Sequence, residues 1–335
     1  MINIQQSING IFLSAGILFY TANINAQVRW INADAAYAPL PTGFHVYTTT
    51  DSLDGKPFVA YYAVASLTSK KLQFTTDTTY KRRLTPAKFF EKNQQPLLVV
   101  NTTFFSFATH QNLNVVIKKG KIVSCNIHSV SGRGKDTLTY RHPFNGALGI
   151  SKHRKPDVAW IYADSSKKIA YASQSVVEAV RDSVSQVSFK SVMNRSPNKS
   201  HPSAPTFFNK WKMQTAVGGG PVLVQNGQVK ITNNEELKFA GKAIDDQHPR
   251  TLIGYTNDHQ LIIMVIEGRN KGVAEGASLL QAAKLMVGLG CTEALNLDGG
   301  GSSCMLINGK QTIKPSDTGI QRAVPAVFII HYKGK

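Results

Sequence analysis

The stretch that most constrains this chain runs from Leu252 to Ser303, where the hydrophobic period changes from strand-like to helical and back. Two apolar runs, Leu252-Ile-Gly-Tyr and Leu261-Ile-Ile-Met-Val-Ile, are joined by Thr256-Asn-Asp-His-Gln and read as a β-hairpin. The second run ends at Glu267-Gly268-Arg269. Ser278 then reads as a helix N-cap, and Leu279, Ala282, Ala283, Met286 and Val287 recur at helical spacing. Gly290 is a helix stop, and Ala294-Leu-Asn-Leu is a short buried strand ending at Asp298. Strand, helix and strand in that order predict a right-handed crossover between parallel neighbours. The expected fold is therefore mixed α/β (α+β), with a mixed sheet, a parallel β-α-β unit near the C-terminus and several hairpins.

That arrangement has chemical consequences. Parallel neighbours would bring Glu267 and Asp298 to one sheet edge, with backbones about 4.8 Å apart, where ligands bind in open α/β sheets. Two close carboxylates split their pKa values, which suits one to act as acid and the other as base. Asp298 and Glu267 are accordingly the catalytic candidates. Gly299-Gly300-Gly301 lets the backbone approach a ligand and turn its N–H groups inward, and Ser302 and Ser303 add hydroxyls. Such a run cradles a phosphate or sugar oxygen, or is simply a tight turn between strands. No phosphate loop of the Gly-x-x-x-x-Gly-Lys type, no Gly-x-Ser-x-Gly elbow and no His-Glu-x-x-His helix is present. The histidines show no ligand-spaced pairs; His248, ahead of Pro249-Arg250, is the one placed to touch the site.

The remainder is rich in strand signals. Phe58-Val-Ala-Tyr-Tyr-Ala-Val, Leu72-Gln-Phe-Thr and Leu97-Leu-Val-Val read as strands, the last stopping at Asn101. Thr85-Pro86 reads as an N-cap and first helical position, with a short helix over residues 87–92. Val115-Val-Ile and Lys121-Ile-Val flank Lys119-Gly120 as a hairpin, and Asn226-Gly227 closes another after Val222-Leu-Val. A strand from Gln214 to Val217 runs into Gly218-Gly219-Gly220-Pro221, and residues 195–206 are dense in loop formers.

Residues 1–26 carry no charged side chain and hold an apolar run from Gly10 to Ala22 that ends at Ile24-Asn25-Ala26. This reads as an export signal, with a buried N-terminal helix as the competing reading. The expected organisation is a signal over residues 1–26 and a single domain over 27–335, exported to the periplasm or outside the cell, with no stable membrane span after signal cleavage. The net charge of +18 favours anionic partners. The candidates are a phosphorylated carbohydrate, an anionic envelope or nucleic acid; without zinc-finger spacing or basic runs interleaved with aromatics, no nucleic-acid partner is expected, and charge alone does not choose between the other two. Cys125, Cys291 and Cys304 are too few for a disulfide framework; Cys291 and Cys304 either pair or remain buried thiols.

Six segments together resemble the phosphodiester glycosidase domain family: Asn101-Thr-Thr-Phe-Phe, Gly218-Gly-Gly-Pro-Val-Leu, His248-Pro-Arg-Thr, Glu267-Gly-Arg, Leu297-Asp-Gly-Gly-Gly-Ser-Ser and Gln321-Arg-Ala-Val-Pro. They occur in the family's order from about Asn101 to near Tyr332. The chain has Glu267 where the family usually has Asp, Thr102 and Thr103 where it has small residues, and Gln321 where it often has Glu. The resemblance implies a mixed α/β fold, export, and hydrolysis of a sugar–phosphate diester at the glycosidic bond. By position it implies that Asn101, Gly218, Gly219, Gly220, Arg250, Arg269, Asp298, Ser302 and Arg322 are site residues, to which the glycine run and Ser303 are added. Guanidinium forks at Arg250, Arg269 and Arg322 would hold the phosphate, unless each is a structural ion pair. Two other readings remain open. One is a metal-dependent phosphodiesterase using calcium or magnesium on Asp298, Glu267 and Asn101. The other is a non-catalytic envelope glycan-binding protein. No cofactor is otherwise implied.

Overall fold

Antiparallel pairing organises nearly all of this chain. The computed structural model describes residues 28–132, 138–182, 187–189 and 206–334. The segment 1–26 and residues 195–205 of the expected loop lie outside them. The structure is mostly β, 12% helical and 42% strand, with a curled half-barrel sheet. The expected mixed α/β fold with a parallel β-α-β unit is not formed.

The reason lies in which sheet edge is open. The hairpin forms as the sequence predicts, with Arg250–Thr256 paired to Gln260–Ile266 from Arg250 opposite Ile266 to Tyr255 opposite Leu261. The other edge of Gln260–Ile266 is already occupied by Ala60–Ser66, from Gln260 opposite Ser66 to Ile266 opposite Ala60. Helix Leu279–Gly288 therefore delivers Cys291–Asn296 to the free edge of Arg250–Thr256, to which it pairs antiparallel. Glu267 and Asp298 still follow strand ends at the same sheet edge. The start of the Arg250 strand stands between them, so their backbones are separated by two inter-strand steps, about 10 Å.

That first sheet has eight strands and every ladder in it is antiparallel. A second sheet includes Asn145–Ile150, Pro156–Asp164, Thr215–Gly218 and the hairpin Val116–Lys118/Lys121–Ser124. A third includes Leu72–Thr78, Leu98–Asn101, Met305–Ile307 and Ala326–Tyr332. The main core lies among them. Ile253, Ile263 and Leu295 come from the first sheet, Leu148, Val158 and Trp160 from the second, and Leu98, Met305 and Phe328 from the third.

The helices cover outer faces. Ser278 accepts from Gln281 N while the Gln281 side chain reaches back to the cap, and Leu279, Ala282, Ala283 and Met286 pack on Leu252, Met264 and Ala294. Gly290 takes a φ of +79° just beyond the helix, as its place there requires. Thr85 caps helix Pro86–Lys92, whose Phe89 packs against Val99, Leu306 and Ile329. No described helix is long and apolar enough to cross a membrane. All three cysteines are free; Cys291 and Cys304 are buried thiols, and burial pushes each up to about 12.

Glu236 pins two sheets together. Its carboxylate is 1% exposed. It accepts from Gly146 N at 2.8 Å and Trp160 Nε1 at 3.2 Å in the second sheet, from Val222 N at 2.8 Å in the first, and from Thr232 Oγ1 at 2.6 Å. Burial raises its pKa, and the facing Lys238 opposes that rise. Glu236→Ala would leave the Gly146, Val222 and Trp160 donors buried without an acceptor and should cost about 3–5 kcal/mol. Urea unfolding with an unchanged m-value measures this; a loss below about 1 kcal/mol would show that the carboxylate does not hold the sheets.

Candidate active site

The site forms where the first and third sheets meet. Asn101, the last residue of Leu98–Asn101, is fully buried. Its Nδ2 donates to Asp298 O at 2.6 Å, and its Oδ1 accepts from Cys304 N at 3.1 Å and Thr251 Oγ1 at 2.9 Å. One amide thus closes the loop 298–304. Asp298 N donates to Thr102 O at 2.7 Å, and Thr251 Oγ1 lies 3.2 Å from Ser303 Oγ, from which it accepts.

Each glycine of the run makes room for a neighbour. A β-carbon at Gly299 would come within 2.7 Å of Pro249 O. Gly300 has a φ of +59°, and a β-carbon there would meet Arg269 Nη2 at 3.1 Å. A β-carbon at Gly301 would overlap the Arg322 guanidinium. Gly299-Gly300-Gly301 is thus the floor on which arginines rest, and Asp298 stands at its head.

The arginines are of three kinds. Arg250 is 3% exposed and donates to Ala277 O at 2.9 Å and Asp246 O at 3.2 Å, with its guanidinium over the Phe239 ring. Burial, then the charge of Arg269, pulls it down to about 10. Arg269 is exposed and sits at φ +61°, a left-handed conformation costing about 1 kcal/mol. Gly268 before it packs on the backbone of Pro249 and Gly276, which excludes a side chain there. Among the described residues neither Arg250 nor Arg269 is ion-paired. Arg322 does pair, its Nε donating to Asp317 Oδ2 at 3.0 Å, and its guanidinium lies over Phe107.

Asp298 responds to this setting. Burial raises its carboxyl to about 7, against the opposing influence of Ser302, Arg322, the Gly299 amide and Lys238. Ser302 Oγ is beside it, buried and without a hydrogen bond of good geometry, as are Thr102 Oγ1 and His248 Nδ1. His248 is held neutral to lower pH by burial and by Arg250 and Arg269. Lys238 lies over the Phe104 ring; burial pulls it down to about 8, while Glu236 and Asp298 act the other way.

The remaining sequence candidates take other places. Glu267 is 8% exposed, and its carboxylate accepts from Lys314 N at 2.9 Å and Asn270 Nδ2 at 3.4 Å. It ties down the turn that carries Arg269. The N–H groups of Gly218, Gly219 and Gly220 donate to Val115 O, Gly146 O and Asn296 O, so that loop spends its donors inside the protein. Gly220 lies against Glu236 and Lys238, where any side chain would overlap both. Sequence reading missed Lys238 and Glu236, because Asn233-Asn-Glu-Glu-Leu-Lys reads as ordinary polar surface.

A sequence profile of the phosphodiester glycosidase family matches residues 94–331, a span that holds every one of these side chains. The chain belongs to the phosphodiester glycosidase family. Among curated relatives, the SPbeta prophage-derived uncharacterized protein YomE of Bacillus subtilis is 38% identical over 86 residues, 26% of this chain and 13% of that protein. The N-acetylglucosamine-1-phosphodiester alpha-N-acetylglucosaminidase of Homo sapiens is 30% identical over 103 residues, 28% of this chain and 20% of that one. These matches therefore span a fifth or less of the relatives' length. The catalytic domain of the zebrafish N-acetylglucosamine-1-phosphodiester alpha-N-acetylglucosaminidase, auto-inhibited by its pro-peptide, shares the fold. It has a TM-score of 0.57 and 18% identity over 91% of this chain and 88% of that one. A hypothetical protein from Synechocystis does so at a TM-score of 0.56 and 14% identity, covering 86% of this chain and 62% of that one.

The raised Asp298 carboxyl makes a prediction about stability. The folded state holds this proton up to about 7, whereas the unfolded chain releases it near 3.8. Wild type therefore loses stability as pH climbs between those values and keeps the deficit above them. Asp298→Asn, which never ionises, should melt higher than wild type at pH 8 and equally with it below pH about 3.8. Equal melting at pH 8 would mean that the carboxyl is not raised.

Proposed function

We propose that this chain hydrolyses the glycosidic C–O bond of a sugar-1-phosphodiester in an envelope or extracellular glycan, with Asp298 as the proton-accepting group. The observation that carries this reading is a half-buried carboxyl at the head of the glycine floor that holds Arg269 and Arg322, raised to about 7 by desolvation, with Arg322 and Lys238 rather than a second carboxylate acting on it. Asp298 in its ionised form takes a proton from water, whose oxygen bonds to the anomeric carbon. The bond from that carbon to the phosphate oxygen breaks, and the electron pair leaves on the phosphate.

Charge decides the rest. The phosphate gains one negative charge as the bond breaks. Its second pKa is about 6, so the leaving oxygen departs at neutral pH without being protonated. One carboxylate then suffices, and Glu267 serves by fixing the Arg269 turn. Arg250, Arg269 and Arg322 hold the phosphate, and their attraction strengthens as its charge grows. Ser302, whose buried hydroxyl lies beside Asp298 and acts on it, turns to donate to the substrate.

Two of the three groups considered for a calcium or magnesium ion are engaged within the protein, Asn101 Oδ1 accepting from Cys304 N and Thr251 Oγ1, and Glu267 from Lys314 N and Asn270 Nδ2. Among the described residues no three His, Cys, Asp or Glu side chains gather at metal-binding distance, and the charges acting on Asp298 are those of Arg322 and Lys238. No step is therefore routed through a divalent cation. The chain's charge of +18 suits an anionic glycan in an exported setting, consistent with reading residues 1–26 as a signal.

Product analysis on a panel of sugar-1-phosphodiesters, with EDTA present throughout, tests the proposal. Wild type should release free sugar and phosphomonoester, and Asp298→Asn should be slower by about 10³-fold or more while remaining folded. Release of sugar-1-phosphate would reject the assigned bond. Binding without turnover by wild type, retained in Asp298→Asn, would make the chain a glycan binder.

A further inference from the structure

A fourth guanidinium, that of Arg83, stands beyond the three that hold the phosphate. Phe107 is 60% exposed. Arg322 lies 5.4 Å from its centroid and Arg83 lies 5.3 Å from it. The two guanidinium carbons are therefore no further apart than the sum of those two distances. Arg83 is also 5.3 Å from the Phe105 ring, which packs on Phe107 with centroids 4.8 Å apart.

This arrangement is held from several sides. Leu84 N donates to Val324 O at 3.0 Å and Val324 N to Leu84 O at 2.8 Å, so the segments carrying Arg83 and Arg322 are bridged directly. Gln321 Oε1 accepts from Ala87 N at 2.9 Å, which ties the residue before Arg322 to the first turn of helix Pro86–Lys92. The Phe107 loop closes on itself, with Ser106 N donating to Gln111 O at 3.0 Å and His110 N to Ser106 O at 2.8 Å. Both arginines are thus presented from a stiff frame. Among the described residues Arg83 has no carboxylate partner, so its planar fork of donors is unspent.

The two arginines differ in what they reach. The Arg322 guanidinium covers Gly301 and acts on the Asp298 carboxyl. Arg83 does neither and meets the site only across Phe107. A substrate whose anomeric carbon sits at Asp298 and whose phosphate sits at Arg322 can reach Arg83 with its aglycone, since both guanidinium groups lie on the Phe107 ring. We infer that Arg83 is a second anion-holding residue, on the aglycone side, and that the preferred substrate carries a further phosphate there. The substrate class is then a glycan with successive phosphate groups rather than one with a neutral aglycone. This inference rests on the proposed function for its orientation.

The test uses two N-acetylglucosamine-1-phosphodiesters that differ only in the aglycone, glycerol or glycerol phosphate. Wild type should prefer the second by about tenfold or more in kcat/KM. In Arg83→Gln the ratio of the two kcat/KM values should fall to near one, and Arg83→Lys should retain part of the preference. A ratio near one in wild type, or one unchanged in Arg83→Gln, would overturn the inference. Calorimetry with glycerol phosphate and glycerol bisphosphate gives a readout independent of turnover. The bisphosphate should bind wild type about tenfold more tightly, and Arg83→Gln should remove that difference. If neither diester is turned over but this binding difference holds, the proposed reaction fails and the second anion site stands. Equal binding by wild type removes the site whatever the turnover.

Discussion

The Asn101 side chain is the contact on which the site's geometry depends. It binds Asp298 O, Cys304 N and Thr251 Oγ1 from a fully buried position, and so joins the end of a third-sheet strand to both ends of the glycine loop. A typical net contribution is about 1 kcal/mol per hydrogen bond, but the cost of leaving these groups buried and unmade is larger. The loop shape thereby becomes nearly obligatory. Once closed, it offers a side-chain-free floor at Gly299-Gly300-Gly301, on which Arg269 and Arg322 settle. Without that floor the Arg322 guanidinium would stand further from Asp298, whose carboxyl it acts on.

Gathering like charges is unfavourable in itself, and the structure holds them by other means. Arg250 is fixed by two backbone carbonyls and an aromatic face rather than by a carboxylate, and Arg269 by a turn tied to Glu267 through Asn270. Lys238 faces the buried Glu236, which in turn holds two sheets together. The result is a positive field held ready before any anion arrives, so little reorganisation remains to be done when negative charge develops. Desolvation acts on Asp298 in the opposite sense, keeping it near the point of ionisation at neutral pH.

Local elements were legible in the sequence wherever the determinants were local. The Arg250–Thr256 hairpin, the Ser278 capping box and the Thr85 cap all rest on residues within a few positions of one another. Sheet order was not legible, because it turns on Ala60–Ser66 having already taken the edge of Gln260–Ile266, a pairing across some two hundred residues. The same distinction runs through the site. The structure brings Asp298, the glycine run, Arg250, Arg269 and Arg322 together as the motifs implied. Glu267 lies nearby but is engaged by Lys314 and Asn270, and Gly218-Gly219-Gly220 turns its amides to the protein. Lys238 and Arg83 gave no signal at all, since a lone cation in a polar segment acquires meaning only from what folds against it.

Attack at carbon and attack at phosphorus can yield the same products when the bond from the sugar oxygen to phosphorus breaks, so the position of the incoming oxygen is the decisive observable. Hydrolysis in ¹⁸O-enriched water, followed by ³¹P NMR of the released phosphomonoester, reads it directly. If Asp298 activates water against the anomeric carbon, the phosphomonoester carries no label from solvent. Label in the phosphomonoester would place the attack on phosphorus and contradict the account.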